Sequence, residues 1–186
     1  MYMASYTTQN DLLLTKLGLY YKDTDKLSKM LSIINGESNI SLRIVDWFVT
    51  NYAKKNFTCY DMPKTNMRFK VYNDYKLNLR SYSKKRFDPF CRWERISIPY
   101  KDNTSIQTTI GQLNFFKWAL DNSVIEYIDD NYKNIERDMN ERNSTAKKTD
   151  KDVNLDNKTR KKREELSELA TRSIKKEHVE IVVSFN

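Results

Sequence analysis

The chain has 186 residues, a formal net charge of +8, 39% hydrophobic residues and 12% aromatic residues. This length suits one domain, or one domain with an appendage, and three Trp, twelve Tyr and eight Phe are enough to bury a core. Two cysteines, Cys59 and Cys91, and a single histidine, His178, exclude a disulfide framework and a zinc set. No apolar run approaches the ~18 residues of a membrane span, and the opening MYMASYTTQNDLLL has neither the charged nor the apolar part of a signal peptide.

In chain order, residues 10–22 and 24–35 read as two helices. Thr24 or Asp25 is expected to cap the second, which stops at Asn35 and Gly36 and carries an apolar stripe of Leu27, Met30, Leu31 and Ile34. Ser41 caps a third helix over 42–54, with Leu42, Val45, Phe48, Val49 and Tyr52 on one face. Residues 57–66 read as a connector that turns at Asp61, Met62 and Pro63.

The stretch 67–98 is the most distinctive. Nine Lys and Arg against three acids alternate there with Phe69, Tyr72, Tyr75, Tyr82, Phe87, Phe90 and Trp93. Its first half fits a hairpin turning at Asn73 and Asp74, or a short strand at 68–72 leading into a helix from Asp74; the helix is preferred. Asp88 and Pro89 end that helix. Phe69, Val71, Phe87, Phe90 and Trp93 are expected to pin a corner of the core, with the charges projecting from it.

Residues 95–98 read as a strand closed by Pro99, and 101–107 as a polar loop. Thr108 or Thr109 opens a helix with the sequence TTIGQLNFFKWALDN, apolar on nearly all sides and therefore central. Residues 121–123 interrupt it and cap a further helix over 124–140. Residues 141–162 are read as a charged flexible linker. Residues 163–177 resume helical spacing, and HVEIVVSFN alternates as a strand that returns to the sheet beside residues 95–98. The expected fold is α+β: a helix-dominated single domain with a small antiparallel sheet that includes the C-terminal strand. Residues 1–140 form the main part and residues 163–186 the returning helix and strand.

No residue pattern supports catalysis. Cys59 or Cys91 with His178 forms no activated pair, the acidic pairs Asp129 with Asp130 and Glu164 with Glu165 sit among lysines on solvated faces, and three scattered glycines build no phosphate loop. The cysteines read as buried, reduced thiols, and no cofactor is expected. The basic balance points to an acidic partner, although 22 Lys and 18 Asn against five Ala also mark an AT-rich coding sequence.

For phosphate contact the candidates are Arg80, Lys84, Lys85, Arg86, Arg92 and Arg95, with Tyr82, Phe87 or Trp93 to stack on bases. A second cluster is Lys158, Arg160, Lys161, Lys162 and Arg163, which also suits an ordinary solvated helix start. Residues 99–140 carry a net charge of −3, so any binding face is one-sided. The same basic and aromatic residues would equally dock an acidic protein.

The phrases LRIVDWFVTNYAKKN, YSKKRFDPFCRWERI and IGQLNFFKWALDNSVIEYI occur in this order, followed by RKKREELSELA and HVEIVVSFN. From about residue 41 onward the chain thus resembles a mimivirus-like group of uncharacterised proteins of giant, nucleocytoplasmic large DNA viruses. That resemblance carries no catalytic residue. It implies a viral protein made in the host cytoplasm, in the viral factory and possibly the virion, whose partners are nucleic acid, DNA above RNA, or viral structural proteins. Nucleic-acid binding in packaging, nucleoid or transcription is the leading expectation; a virion structural or assembly protein is the alternative.

Overall fold

The computed structural model describes residues 8–63, 65–91, 93, 95–99, 104–149 and 176–178. Helices α1 (Gln9–Tyr20), α2 (Thr24–Ile34) and α3 (Leu42–Trp47) follow one another. Thr8 and Asp11 cap α1 reciprocally, each side chain accepting the other's backbone N–H. The cap of α2 is Asp23, one residue before the expected position, because its carboxylate reaches the N–H groups of Asp25 and Lys26. Ser41 caps α3 as expected, accepting from the Ile44 N–H.

Beyond α3 the helix widens into a π turn, Phe48–Tyr52, before α4 (Ala53–Lys55). The Ala53 N–H reaches back five residues to the Phe48 carbonyl. Thr50 turns its hydroxyl onto the Asp46 carbonyl at 2.6 Å, a local bond of the kind that bends helices.

The expected connector contains a strand. Strand β1 (Cys59–Asp61) pairs antiparallel with β2 (Arg68–Lys70), with Tyr60 opposite Phe69. The chain then enters α5 (Val71–Phe87) directly, so the helical reading of this stretch holds and the hairpin at Asn73 does not. Ser83 interrupts α5 with φ +65° and ψ 166°, a backbone region that disfavours any residue with a Cβ.

Strand β3 (Arg95–Pro99) pairs with β4 (Thr104–Thr109), which occupies most of the stretch expected to be a polar loop. Ile106 and Thr108 are buried on one face, and Ser105 and Gln107 are half-buried on the other. Strand β5 (Lys176–His178) adds to the other edge of β4, antiparallel, giving the order β3-β4-β5. The returning strand therefore lies beside β4 rather than β3, and Lys176 and Glu177 are strand where helix was expected. The fold is helix-dominated α+β with two small antiparallel sheets.

Helix α6 (Ile110–Asp121) is the centre of the core. Thr109 caps it through the Gln112 N–H, and Leu113, Phe115, Phe116, Trp118 and Ala119 are all buried. Its polar residues find partners inside. The Thr108 hydroxyl donates to Gln112 Oε1 at 2.9 Å, and the Trp118 indole donates to Asp74 Oδ1 at 2.6 Å. Helix α5 lies along it so closely that a Cβ on Gly111 would stand 2.7 Å from the Asp88 carbonyl oxygen.

After a left-handed residue at Ser123, whose side chain makes no capping bond, come α7 (Val124–Asp130) and α8 (Tyr132–Thr149), two helices where one was expected. Helix α8 runs to Thr149, into the stretch expected to be a linker. The remainder of that stretch and the helix expected from 163 lie outside the described residues. Helix α8 packs on α3 and the π turn, where Asp138 accepts from Trp47 Nε1 at 3.0 Å and Lys55 Nζ at 2.6 Å. Burial pushes the Asp138 carboxyl up, but these two bonds and the nearby cations more than offset it and hold the group below its ordinary value.

Candidate nucleic-acid interface

The candidate cations meet where α5 ends against α1 and α6. Lys84, Lys85 and Arg86 occupy its last turn, where the negative end of the helix dipole favours positive charge. Arg80 precedes the break at Ser83 and is exposed, as are Lys84 and Lys85. Arg86 is half-buried and fixed at both ends. Its guanidinium donates to Gln9 Oε1 at 3.1 Å, and its carbonyl accepts from Asn114 Nδ2 at 2.9 Å. Arg95, exposed, opens β3 opposite Thr109. None of Arg80, Lys84, Lys85, Arg86 and Arg95 forms an ion pair with a described carboxylate. Arg92, Lys158, Arg160, Lys161, Lys162 and Arg163 lie outside the described residues.

The aromatic residues divide. Phe69, Val71 and Phe87 are buried in the core, and Phe90 packs half-buried against it. Phe87 therefore cannot stack on a base. Tyr82 is half-buried, with its ring stacked on Phe87 at 6.0 Å between centroids. Trp93 departs from the expected corner, because its side chain is 52% exposed. The Lys85 ammonium sits 3.6 Å from the centre of the Trp93 ring, a cation–π contact that fixes both groups.

These groups surround a small cavity of about 170 Å3, lined by Asn10, Ser83, Lys85, Arg86, Trp93 and Ile110. Asn10 Oδ1 is buried at its edge with no hydrogen-bond partner. Gln9, Asn10 and Ser83 were not among the sequence candidates. Two belong to a helix more than seventy positions away, and nothing local to Ser83 marks it as a break. What the arrangement offers is a ridge of unpaired cations, one exposed indole and a pocket with donors on its wall. That is enough to hold an anion and a planar ring.

Among the described residues no group of three or more His, Cys, Asp and Glu side chains could hold a metal ion, and no helix is long and apolar enough to cross a membrane. Cys59 and Cys91 are free thiols and half-buried rather than buried.

Fold and site define a small, basic, helix-dominated α+β protein with a cationic corner. The chain belongs to a family of unknown function, DUF7197, which its sequence matches over residues 4–185. It is 50% identical over 126 residues to "Uncharacterized protein L507" of Acanthamoeba polyphaga mimivirus, an alignment covering 64% of this chain and 48% of that protein. The chain thus spans about half the length of the curated relative it matches. The giant-virus resemblance read from the sequence is met by this relative. No solved structure matches the chain.

Proposed function

We propose that this protein binds nucleic acid without transforming it, as a packaging, nucleoid or transcription accessory protein of a giant virus, working in the viral factory of the host cytoplasm. The observation that carries this reading is the end of α5. Arg80, Lys84, Lys85 and Arg86 stand there with no described carboxylate neutralising them, beside an exposed Trp93. Unpaired cations next to an exposed ring suit a phosphate backbone with an accessible base. The reading favours single-stranded over double-stranded partners, because a lone indole stacks only on an unpaired base.

The test is fluorescence anisotropy with labelled single-stranded and duplex DNA, and with RNA, across a salt series. Affinity should fall as salt rises, with a logarithmic slope of about −0.7 per phosphate contacted on a single strand. Arg80, Lys84 and Lys85 changed together to Gln should reduce that slope by about two. A triple variant that binds as the parent does removes the proposal. A second reading, virion assembly through protein contacts, is favoured by Leu19, Met67 and Leu77, whose side chains are exposed. It predicts self-association or capsid co-purification and no salt-sensitive binding of nucleic acid.

A further inference from the structure

A second opening, of about 530 Å3, lies at the opposite end of α5. Its volume is within the ~300–1,000 Å3 range of small-molecule sites. Lys54, Phe57, Cys59, Lys70, Tyr72 and Asn73 are among its walls. They come from α4, the β1–β2 hairpin and the first turn of α5.

Packing does not explain Phe57. Its φ of +48° puts a bulky residue in the left-handed region, where Asn or Gly is at ease. Its side chain is 88% exposed, so it adds almost nothing to the core. Phenylalanine therefore serves neither the backbone nor the interior at this position. The π turn Phe48–Tyr52 lies just upstream, a feature that recurs at functional sites.

The charge around the opening has one sign. Its lining contains lysines and no carboxylate. Neither Lys54 nor Lys70 is in an ion pair with a described carboxylate. The Lys54 ammonium lies 5.5 Å from the centre of the Tyr72 ring. An exposed aromatic face, a second ring, an amide and two free ammonium groups match one kind of occupant: a planar heteroaromatic ring carrying a phosphate.

We propose that this opening is a nucleotide pocket, in which a base stacks against Phe57 and Tyr72 and its phosphate lies on Lys54 and Lys70. The nucleotide has two possible sources, a free mononucleotide or an unpaired position of a strand. The second source rests on the nucleic-acid reading above. It is served by α5 itself: Asn73, Leu77 and Arg80 recur at helical spacing and are all exposed, making a stripe from the pocket toward the cationic end. From Tyr72 to Arg80 the helix rises about 12 Å.

The test uses the full chain with Cys91→Ser, so that Cys59 reports on the pocket. Common nucleoside monophosphates at millimolar concentration, or a short single-stranded oligodeoxynucleotide, should slow iodoacetamide alkylation of Cys59. Phe57→Asn should weaken oligonucleotide binding about fivefold or more while leaving the thermal midpoint unchanged or higher. The surface pair Lys54→Gln and Lys70→Gln should abolish the protection by mononucleotides.

Unchanged Cys59 alkylation with both probes overturns the pocket, as does a Phe57→Asn protein that binds the oligonucleotide like the parent. In that last case, loss of binding on neutralising Arg80, Lys84 and Lys85 would leave the nucleic-acid reading standing alone. Protection by mononucleotides with no oligonucleotide binding would uphold the pocket and remove that reading.

Discussion

Replacing either of two glycines by alanine sets helix propensity against packing. In both cases Ala favours a helix by up to about 1 kcal/mol. At Gly18, in α1, a Cβ would meet nothing within 4 Å. Gly18→Ala should therefore stabilise the protein by about 0.5–1 kcal/mol. At Gly111 the new Cβ would lie 2.7 Å from the Asp88 carbonyl oxygen and 3.2 Å from that of Lys85. Ordinary contact begins near 3.4 Å, so α5 and α6 must part by about 0.7 Å. Both obstacles are backbone, and no side chain can rotate aside.

Overpacking of this kind costs about 1–3 kcal/mol. Set against the propensity gain, Gly111→Ala should destabilise the protein by about 1–2 kcal/mol, which lowers the melting temperature by roughly 2–8 °C in a chain of this size. Urea unfolding followed by tryptophan fluorescence measures both variants on one scale. The same parting strains the bond from Asn114 to the Arg86 carbonyl, so Gly111→Ala should also weaken oligonucleotide binding. If Gly111→Ala proved as stable as the parent, α6 would not run against the end of α5, and the frame that fixes Lys85 and Arg86 would be wrong.

Asp138→Asn should cost about 1 kcal/mol at neutral pH, since Lys55 is half-exposed and its bond is partly screened. Asp138 has its folded value held below the ordinary carboxylate range, near 3.9. Its contribution is thus complete above about pH 4 and fades as pH falls through the folded value. Urea midpoints of parent and variant should converge in acid, and a gap that widened there would reverse this assignment. Asp74→Ala strands the Trp118 indole N–H in the core at a cost of about 1–3 kcal/mol; calorimetry showing no loss would mean that the indole has another acceptor. Ser83→Gly relieves a backbone conformation costing about 1–3 kcal/mol and adds a smaller chain-entropy penalty, so it should raise the melting temperature. A lower melting temperature would place Ser83 in ordinary helix.

The helical half of the fold was written locally. Ser41 and Thr109 announce their helices because a hydroxyl before an apolar run has free N–H groups to satisfy. Helix α6 is apolar on so many sides that only a central position suits it. The sheets were harder. Strand β4 alternates Ile106 and Thr108 with Ser105 and Gln107, and one apolar residue in that series is a weak signal. Its pairing to β3 and β5 is set by neighbours elsewhere in the chain. Strand β1 is three residues long and earns its place only by meeting β2.

The candidate site divides in the same way. Charge was plain at Arg80, Lys84, Lys85 and Arg86, because exposure is the default for such residues. Burial of the aromatics was not plain: Phe87 and Trp93 are both large and apolar, yet one is enclosed and the other stands outside, a choice made by tertiary packing. Backbone strain at Phe57 and Ser83 left no mark in the residue types, since neither is the glycine that such conformations prefer.

The π turn at Phe48–Tyr52 has a consequence for the gene as well as for the fold. Closing a helical turn over five residues instead of four takes up one additional residue, as if a single codon had been inserted into an unbroken helix. Removing one residue there, Thr50 or Asn51, should restore regular winding and leave Phe48 and Val49 in the core. Everything after the turn would then arrive rotated by about 100° and displaced by about 1.5 Å. Lys54 and Phe57 would face another direction, Ala53 would leave its buried place, and the β1–β2 hairpin would start from the wrong angle. The length of this segment is therefore under tighter constraint than its composition. Relatives of this chain should tolerate substitutions between residues 48 and 52 more readily than a one-residue gap.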